Sequence, residues 1–144
     1  MSRVKIDMPD EFRFSTNIPV RISDINYGGH AGNDSILSFI HESRVRFFSN
    51  LGFGELDMFG VGLIMSDVVI EFKSEIFYGD QLTIHIACRE ITKVSFNLYY
   101  KLEKTSVDGV TLVALAKTGM LAFDYSKKKV TSIPEEAVEK LSDN

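Results

Sequence analysis

Apolar and polar residues alternate with a period of two over most of this chain, which is the pattern of strands with one buried face. The clearest alternation occupies residues 63–76, 81–89, 94–103 and 110–125, and a weaker stretch at 11–22 contains Pro19. Turn-forming residues near Gly79 and at Asp108-Gly109 separate these stretches. The pattern therefore predicts four or five antiparallel strands, with an irregularity at the proline.

Residues 33–51 break this alternation and carry apolar side chains at intervals of three, four or seven, which is the period of an α-helix. The apolar positions are Ile36, Leu37, Ile40, Phe47, Phe48 and Leu51, and Phe39 and Val45 widen the surface that they form. Asn33 or Asp34 is expected to cap the N-terminus of this helix, and Gly52 to end it in the left-handed conformation. Such a wide apolar surface predicts a helix that is buried on most sides.

Two shorter helical elements are also predicted. The glycine-rich connection between the long helix and the next strand is expected to hold one helical turn at residues 55–59. Ser132 and Glu135 have the spacing of a capping box, which predicts a short helix over residues 133–141. One long apolar helix beside antiparallel strands is an α+β architecture, and the simplest packing wraps the sheet around the helix. That arrangement is the hotdog fold.

The length and composition limit the possible functions. The 144 residues suit a single domain, with a core over residues 11–130. No apolar run approaches the ~18 residues of a membrane helix, and a net charge of −4 disfavours nucleic-acid binding. The chain has one cysteine and an N-terminus without the features of a signal peptide. We therefore expect a cytoplasmic protein that binds neither a membrane nor nucleic acid.

Most of the polar residues that could carry chemistry lie in the loop between the first strand and the long helix. They are Asp24, Asn26, Tyr27, Gly28, Gly29, His30, Asn33 and Asp34. No metal site is expected, because His41-Glu42 lacks the second histidine of the zinc-protease pattern. Cys88 alternates with the core-facing residues of its strand and is expected to be inert packing. No cofactor is expected either.

Two motifs carry a resemblance to a known family. The loop and the helix after it match the pattern V-R-x-x-D-x-D-x-x-G-H-x-x-N and then E-x-x-R at Val20, Arg21, Asp24, Gly29, His30, Asn33 and Glu42, with Arg44 close to the arginine position. Phe72 followed by Tyr78-Gly79-Asp80 matches a turn between the second and third strands. Over residues 14–125 the chain resembles the 4-hydroxybenzoyl-CoA thioesterase-like branch of the hotdog superfamily. The resemblance implies hydrolysis of acyl-CoA, or of a related acyl thioester, by a homodimer or homotetramer.

The resemblance also assigns expected roles to individual residues. The backbone N–H groups of Gly28 and Gly29, at the start of the helix, would stabilise the oxyanion of the reaction, unless these glycines only turn the chain. His30 would polarise the carbonyl or protonate the leaving thiolate, unless it only caps the helix. Tyr27 and Asn33 are expected to contact the substrate. The acyl group is expected to lie against Phe59, Leu63 and Ile64.

The second aspartate of the family pattern falls on Asn26, which cannot accept a proton at neutral pH. Asn26 could orient water or bind the carbonyl through its amide, leave a site that binds without catalysis, or bond only its own backbone. If Asn26 is catalytic, the carboxylate must come from Asp24 or Glu42. Asp24 is expected to bond loop N–H groups as a structural residue. Glu42 is either catalytic or a buried carboxylate paired with strand backbone or an arginine.

Two other functions compete with thioester hydrolysis. A non-catalytic acyl-thioester binding or regulatory domain would explain Asn26, whereas the presence of Gly29, His30 and Glu42 argues against it. Hotdog enoyl-CoA hydratases resemble D-x-N-P-x-H, but His30 follows Asn26 one residue too late for that motif and the proline is missing. We therefore place the hydrolase first, the binding domain second and the hydratase last.

Overall fold

A computed structural model describes residues 3–143. The elements are β1 (Phe14–Pro19), α1 (Asn33–Leu51), β2 (Gly62–Phe72), β3 (Gln81–Arg89), β4 (Ser95–Ser106), β5 (Gly109–Asp124), β6 (Lys129–Val130) and α2 (Glu135–Ser142). The strands form one antiparallel sheet in the order β1-β3-β4-β5-β2, and the short β6 pairs with β5. A 3₁₀ turn, Ile22–Asp24, follows β1. The long helix and the long strands lie where the sequence pattern predicts them, and β6 was not predicted.

The helix α1 lies across one face of the sheet and buries its apolar side chains there. Ile40 and Phe48 are fully buried, and the ring of Phe48 packs edge-on against Phe96 of β4, with 6.2 Å between the ring centroids. On β5 the same face carries the small buried residues Ala114 and Ala116, which let a helix lie close to the sheet. This arrangement confirms the predicted α+β hotdog fold.

The N-cap of α1 differs from the prediction. Gly32 takes this position instead of Asn33 or Asp34, and its carbonyl oxygen accepts the N–H of Ser35 at 3.0 Å. A Cβ atom at position 32 would lie 2.6 Å from Oδ1 of Asp34, so a larger residue there would require the exposed Asp34 side chain to move. At the other end Gly52 has a φ of 94°, which confirms the predicted left-handed cap.

One side of α1 is exposed, so the prediction of a helix buried on most sides is wrong. Leu37 and Val45 are 39% and 46% exposed, although Phe39 is buried as expected. Leu37 lines an open groove beside Met65 of β2, which is an edge strand of the sheet, and Val45 lines another groove beside residues 53–57.

Two of the predicted local elements also differ. The connection after α1 makes tight turns at residues 54–57 and 58–61 in place of a helical turn. The N-cap of α2 is Pro134, so the capping box predicted at Ser132 does not form. The short C-terminal helix itself is present close to the expected position.

The chain that precedes β1 crosses the face of the sheet opposite α1. The N–H of Ile6 donates to the carboxylate of Glu71 on β2 at 2.6 Å, and the Phe12 ring lies edge-on to His85 on β3. Nε2 of His85 is 2.8 Å from Oε1 of Glu103 on β4. A histidine–glutamate pair therefore lies on the side of the sheet away from α1.

Candidate active site

A cavity of about 220 Å³ lies between the N-terminus of α1 and the segment that follows β2. It is lined by His30, Ala31, Asn33, Ile36, Phe72, Lys73, Ser74, Glu75 and Ile76. A partly apolar wall with a few polar groups is the usual form of a small-molecule site. The cavity brings together two of the residues predicted from the sequence, His30 and Asn33.

Backbone hydrogen bonds hold residues 20–32, which we call the site loop, against the chain between β2 and β3. The N–H of Ala31 donates to the carbonyl oxygen of Ile76 at 2.8 Å. The N–H of Val20 donates to the carbonyl oxygen of Asp80 at 2.9 Å. The two walls of the cavity are therefore joined by main-chain contacts, and their side chains are held in a fixed relation.

Asn26 closes a tight turn within the site loop. Its Oδ1 accepts the N–H of Gly28 at 2.8 Å, and its carbonyl oxygen accepts the N–H of Gly29 at 3.1 Å. The N–H of Asn26 donates to the carbonyl oxygen of His30 at 3.0 Å. Asn26 is not among the residues that line the cavity. Of its three interpretations, these contacts favour the one in which Asn26 bonds the local backbone.

Gly28 and Gly29 do not lie at the start of the helix, which corrects the sequence-based expectation. Ile25 and Ala31 pair across the loop, so a small closed turn separates the two glycines from α1. Their N–H groups are held by Asn26 and are not free for an oxyanion. Gly29 has a φ of 88°, a conformation that glycine adopts at little cost. These contacts favour the alternative in which the glycines turn the chain.

Free N–H groups occur instead in the first turn of α1. Within the part of the chain that the structure describes, the N–H groups of Asn33 and Asp34 donate no hydrogen bond. Such groups at a helix N-terminus carry a partial positive charge and attract negatively charged oxygens. Asn33 lines the cavity together with His30. The helix therefore directs a positive potential towards the cavity.

The imidazole of His30 lies between the site loop and Glu75. Nδ1 is 3.1 Å from the carbonyl oxygen of Ala31, which can only accept, so the proton of the neutral ring is on Nδ1. Nε2 then carries the free lone pair, and it faces Oε1 of Glu75 at 4.0 Å. The side chains of His30 and Glu75 are 36% and 63% exposed, so water reaches both. Glu75 was not among the residues predicted from the sequence.

The buried carboxylate of Asp24 holds the 3₁₀ turn at the start of the site loop. It accepts the backbone N–H of Arg21 at 2.8 Å and the guanidinium Nη2 of the same residue at 3.1 Å. The carbonyl oxygen of Asp24 accepts the hydroxyl of Ser35 at 2.8 Å, which ties this turn to α1. These contacts agree with the structural role that the sequence predicts for Asp24.

Glu42 lies outside the cavity. It follows Asn33 by nine residues, and at about 100° per residue this places it half a turn away around the helix. Its side chain lines a groove beside β1, together with Ile18 and Arg21. The carboxylate is paired with Nε of Arg46 at 3.0 Å and is 52% exposed. Within one chain, Glu42 therefore does not lie near His30. It is also not a buried carboxylate, which was the alternative to a catalytic role.

Four other predicted substrate-binding residues lie away from the cavity. Tyr27 is fully exposed at the tip of the site loop. Leu63 is buried in the core, and Phe59 packs against Phe53 with 5.6 Å between their ring centroids. Ile64 follows Leu63 on β2 and does not line the cavity. The first residues of β2 lie near the C-terminal end of α1, whereas the cavity is at the N-terminal end.

A polar network that the sequence did not reveal lies between α1 and the sheet. Arg44 is only 6% exposed, and its Nε donates to the carboxylate of Glu55. Nη1 of Arg44 is 3.4 Å from the hydroxyl of Tyr100, which is 2.7 Å from the hydroxyl of Thr118. Burial raises the pKa of Tyr100, so the phenol stays neutral beside the guanidinium. The network fixes α1 on the sheet through a charged residue.

Other reactive groups are few among the described residues. Between residues 3 and 143 no three His, Cys, Asp or Glu side chains are arranged to hold a metal ion. In the same range no helix has the length and apolar character needed to cross a membrane.

Cys88 is buried in the core as predicted, and burial raises the pKa of its thiol to about 12. The thiol is therefore protonated at neutral pH and chemically inert.

Comparisons with known proteins agree with this geometry. The model of a family described as the thioesterase-like superfamily matches residues 20–141. A protein of Aquifex aeolicus (strain VF5), provisionally named an esterase, is 25% identical over 126 residues, which are 86% of this chain and 94% of that protein. A 1,4-dihydroxy-2-naphthoyl-CoA thioesterase from Synechocystis has a TM-score of 0.81 at 17% identity, over 90% of this chain and 96% of its own. An Asp-to-Asn mutant of 4-hydroxybenzoyl CoA thioesterase, complexed with 4-hydroxybenzoyl CoA, has a TM-score of 0.81 at 18% identity, over 89% and 97%.

Proposed function

The chain belongs to the thioesterase-like superfamily, and we propose that it hydrolyses an acyl-CoA, or a related acyl thioester, to the free acid and the thiol. The observation that carries this proposal is the cavity lined by both His30 and Asn33, the first residue of α1, whose N–H group is free. Two proteins of the same fold are CoA thioesterases by name, which supports a CoA ester as the substrate.

Hydrolysis requires a place for the oxyanion that forms when water adds to the thioester carbonyl. The N–H groups of Asn33 and Asp34 are free, and the helix dipole adds to their partial positive charge. Losing one such donor typically costs ~10²–10³ in rate, so the N–H group of Asn33, the one of the two residues that lines the cavity, is a substantial part of the required stabilisation. We therefore assign the oxyanion to the first turn of α1 instead of to Gly28 and Gly29.

Hydrolysis also requires a group that takes a proton from water and returns it to the leaving thiolate. An imidazole does both near neutral pH, because its charge changes in that range. In His30 the Ala31 carbonyl oxygen holds the Nδ1 proton, which leaves Nε2 directed at the cavity side as the acceptor. His30 is the residue of this cavity that fits the role of general base and acid.

Asn26 contributes to this site by holding the loop. Its N–H donates to the carbonyl oxygen of His30, and its side chain closes the turn that leads to that residue. An aspartate could close the same turn through its carboxylate oxygen, so the asparagine preserves the shape of the family loop without its charge. The site loop therefore contributes geometry, and the proton acceptor is His30.

A non-catalytic acyl-thioester binding domain is the second candidate. It is favoured by Asn26, which leaves the site loop without the aspartate of the family pattern. The Asp-to-Asn mutant of 4-hydroxybenzoyl CoA thioesterase is complexed with its thioester, so a member of this fold that lacks an aspartate still holds such a ligand. The cavity with His30 supports the hydrolase more strongly, because binding alone needs no imidazole there.

Release of free thiol tests the proposed activity. The protein is incubated with short, long and aromatic acyl-CoAs, and the thiol is measured with a colorimetric thiol reagent. The buried Cys88 contributes little to the signal. Calorimetry measures binding of the same esters. Thiol release above the uncatalysed rate supports the hydrolase, whereas binding of an ester without any release supports the binding domain.

We also propose that the protein is a homodimer formed through β2, alone or within a homotetramer. Among residues 3–143, β5 is the one strand that pairs with β2, so the outer edge of β2 has free backbone groups. On this strand Met65, Val68 and Phe72 are 40%, 37% and 53% exposed. A long edge strand with exposed apolar side chains is unusual in a monomer. Pairing with the β2 edge of a second copy would cover them. Because Phe72 lines the cavity, the second copy would also close one side of it.

Replacing Val68 with lysine is expected to dissociate this dimer. Val68 is near the middle of β2, so in an antiparallel pair of β2 strands the two lysines would lie close together. Like charges at an interface cost several kcal/mol, so the dissociation constant should rise about 100-fold or more. Size exclusion with light scattering gives the mass, to be compared with 16.2 kDa for one chain. Val107→Lys is the control, because Val107 is fully exposed in the turn between β4 and β5. A monomeric wild type, or a Val68→Lys variant that remains dimeric, contradicts the proposed interface.

A further inference from the structure

The chain leaves the sheet directly after β2 and passes the N-terminus of α1. The N–H groups of Lys73 and Ser74 both donate to the carbonyl oxygen of Val113, at 2.9 and 3.1 Å, which ends the regular ladder. The ammonium of Lys104 donates to the carbonyl oxygen of Glu75 at 2.7 Å and fixes the backbone there. The position of Glu75 is therefore set by the sheet.

The hydrogen bond between the site loop and this segment places Glu75 beside His30. Ala31 donates to Ile76, and His30 and Glu75 are the residues that precede these two in the chain. Their side chains line the same cavity. Lys73, the nearest cation along the chain, is paired with Glu71 at 2.9 Å. Among the described residues, the imidazole of His30 is the only basic side-chain group within 4.0 Å of the Glu75 carboxylate.

When the imidazole is neutral, Nε2 of His30 and the carboxylate of Glu75 are both hydrogen-bond acceptors, and neither can donate to the other. Nε2 of His30 carries a lone pair, because the proton is held on Nδ1, and the Glu75 carboxylate has no proton to give. Their separation of 4.0 Å is too long for a direct hydrogen bond. A water molecule donates two hydrogen bonds of ~2.8 Å at close to a tetrahedral angle, which spans about 4–4.5 Å. The pair therefore has the spacing of a site for one water.

We propose that Glu75 is the carboxylate of this active site and that it holds the attacking water together with His30. This inference rests on the proposed thioester hydrolysis and assigns the group that the asparagine at position 26 cannot supply. Glu75 comes from the chain after β2, outside the loop that carries the family pattern. It orients the water and supplies a negative charge next to the imidazole.

The reaction then proceeds with a full proton balance. The water oxygen bonds to the thioester carbonyl carbon, one water proton moves to Nε2 of His30, and the carbonyl oxygen becomes the oxyanion at the start of α1. The other hydrogen stays bonded to the water oxygen and donates a hydrogen bond to the Glu75 carboxylate. The negative charge of Glu75 stabilises the imidazolium. The carbon–sulfur bond breaks, and the proton on Nε2 passes to the thiolate sulfur. The carboxylic acid leaves and ionises in solution.

Glu75→Gln is the direct test, with Glu103→Gln as the matched control. Glu103 also pairs with a histidine, His85, but on the opposite face of the sheet. We expect Glu75→Gln to lower kcat by about 10²-fold with KM changed less than about threefold, since the loss falls on the transition state. Glu103→Gln should keep kcat near that of the wild type. Because Glu75 is well exposed, circular dichroism should show both variants folded.

Chemical rescue separates a catalytic carboxylate from a structural one. Added formate should restore part of the rate of Glu75→Ala, because a small carboxylate can occupy the space that the side chain leaves. A merely structural glutamate would not be replaced in this way. Suppose that the wild type hydrolyses acyl-CoA. A fully active Glu75→Gln, or a Glu75→Ala that formate does not rescue, then overturns the role of Glu75 and leaves the proposed function intact. A wild type without activity on every ester overturns both.

Discussion

The His30→Gln variant is expected to release thiol from acyl-CoA about 10³ times more slowly than the wild type, which is the usual scale for losing a general base and acid. Glutamine keeps a polar group of similar reach that can still donate to the Ala31 carbonyl oxygen. It cannot take a proton from water at neutral pH. The loss should fall on kcat, because the cavity and the N–H groups of α1 remain in place. Steady-state thiol release measures both constants.

His41→Gln is the matched control for this variant. His41 lies on the exposed part of α1, with a side chain that is 58% exposed and an ion-pair distance of 3.6 Å to Glu55. It does not line the cavity that contains His30. We expect it to keep most of the wild-type kcat. If His30→Gln were as active as His41→Gln, the imidazole could not be the proton acceptor, and the mechanism would have to use another group.

The second large effect is on stability, and it concerns Arg44. We expect Arg44→Met to lower the free energy of unfolding by about 3 kcal/mol, because removing one partner of a buried ion pair strands the other. Arg44 is 6% exposed. The side chain of Glu55, which is 26% exposed, would lose its hydrogen bond and keep only the imidazole of His41 at 3.6 Å. The hydroxyl of Tyr100 would also lose a neighbour at 3.4 Å. Urea denaturation at a fixed protein concentration measures the change.

Two further variants test the origin of that loss. In the double variant Arg44→Met/Glu55→Gln the stranded charge is absent, so we expect at least half of the lost stability to return. Arg46→Met removes an arginine from the same helix that bonds Glu42, the Thr16 hydroxyl and the Asn17 carbonyl oxygen. Because the side chains of Arg46 and Glu42 are 40% and 52% exposed, water can replace these bonds, and we expect a smaller change of about 1 kcal/mol. Equal effects of Arg44→Met and Arg46→Met would mean that burial of the pair does not matter.

The fold followed from the sequence because its signals are local and periodic. The period of two in β3 and β4 and the wide apolar surface of α1 are the packing pattern itself. Gly52 and Asp108-Gly109 mark chain reversals through the conformations that glycine allows. The exposed positions Leu37 and Val45 could not be recognised in this way, because apolar residues at an edge have the same pattern as apolar residues in a core.

The start of α1 was less predictable because tertiary contacts determine it. Asn33 and Asp34 are both good caps, and nothing local favours Gly32 over them. The pairing of Ile25 with Ala31 and the hydrogen bond from Ala31 to Ile76 set the point at which the helix begins. As a result the free N–H groups belong to the first turn of the helix and not to the glycines before it.

The carboxylate beside His30 was missed for a related reason. Glu75 is far from His30 in the sequence. Phe72 and Tyr78, on either side of it, belong to the turn that matches the family, but Glu75 itself is not part of that match. One signal was present, since Lys73-Ser74-Glu75 interrupts the alternation of the strand, where the prediction continued the strand to Ile76. That break marks the place at which the chain leaves the sheet. Motif position made Glu42 a candidate together with Asp24, although the place of Glu42 around the helix already separates it from Asn33.

A single turnover in H₂¹⁸O tests most directly whether this cavity adds water to a thioester carbonyl. With enzyme in excess over an acyl-CoA that it hydrolyses, we expect thiol and acid in equal amounts, with the heavy oxygen in the acid and none in the peptide that contains Glu75. That result means that the new oxygen of the acid comes from water and not from the Glu75 carboxylate, as the proposed water site requires. An acid without the heavy oxygen, with the label in Glu75, would show a covalent acyl intermediate and contradict the proposed water site. A bound thioester that yields neither acid nor thiol would contradict hydrolysis altogether.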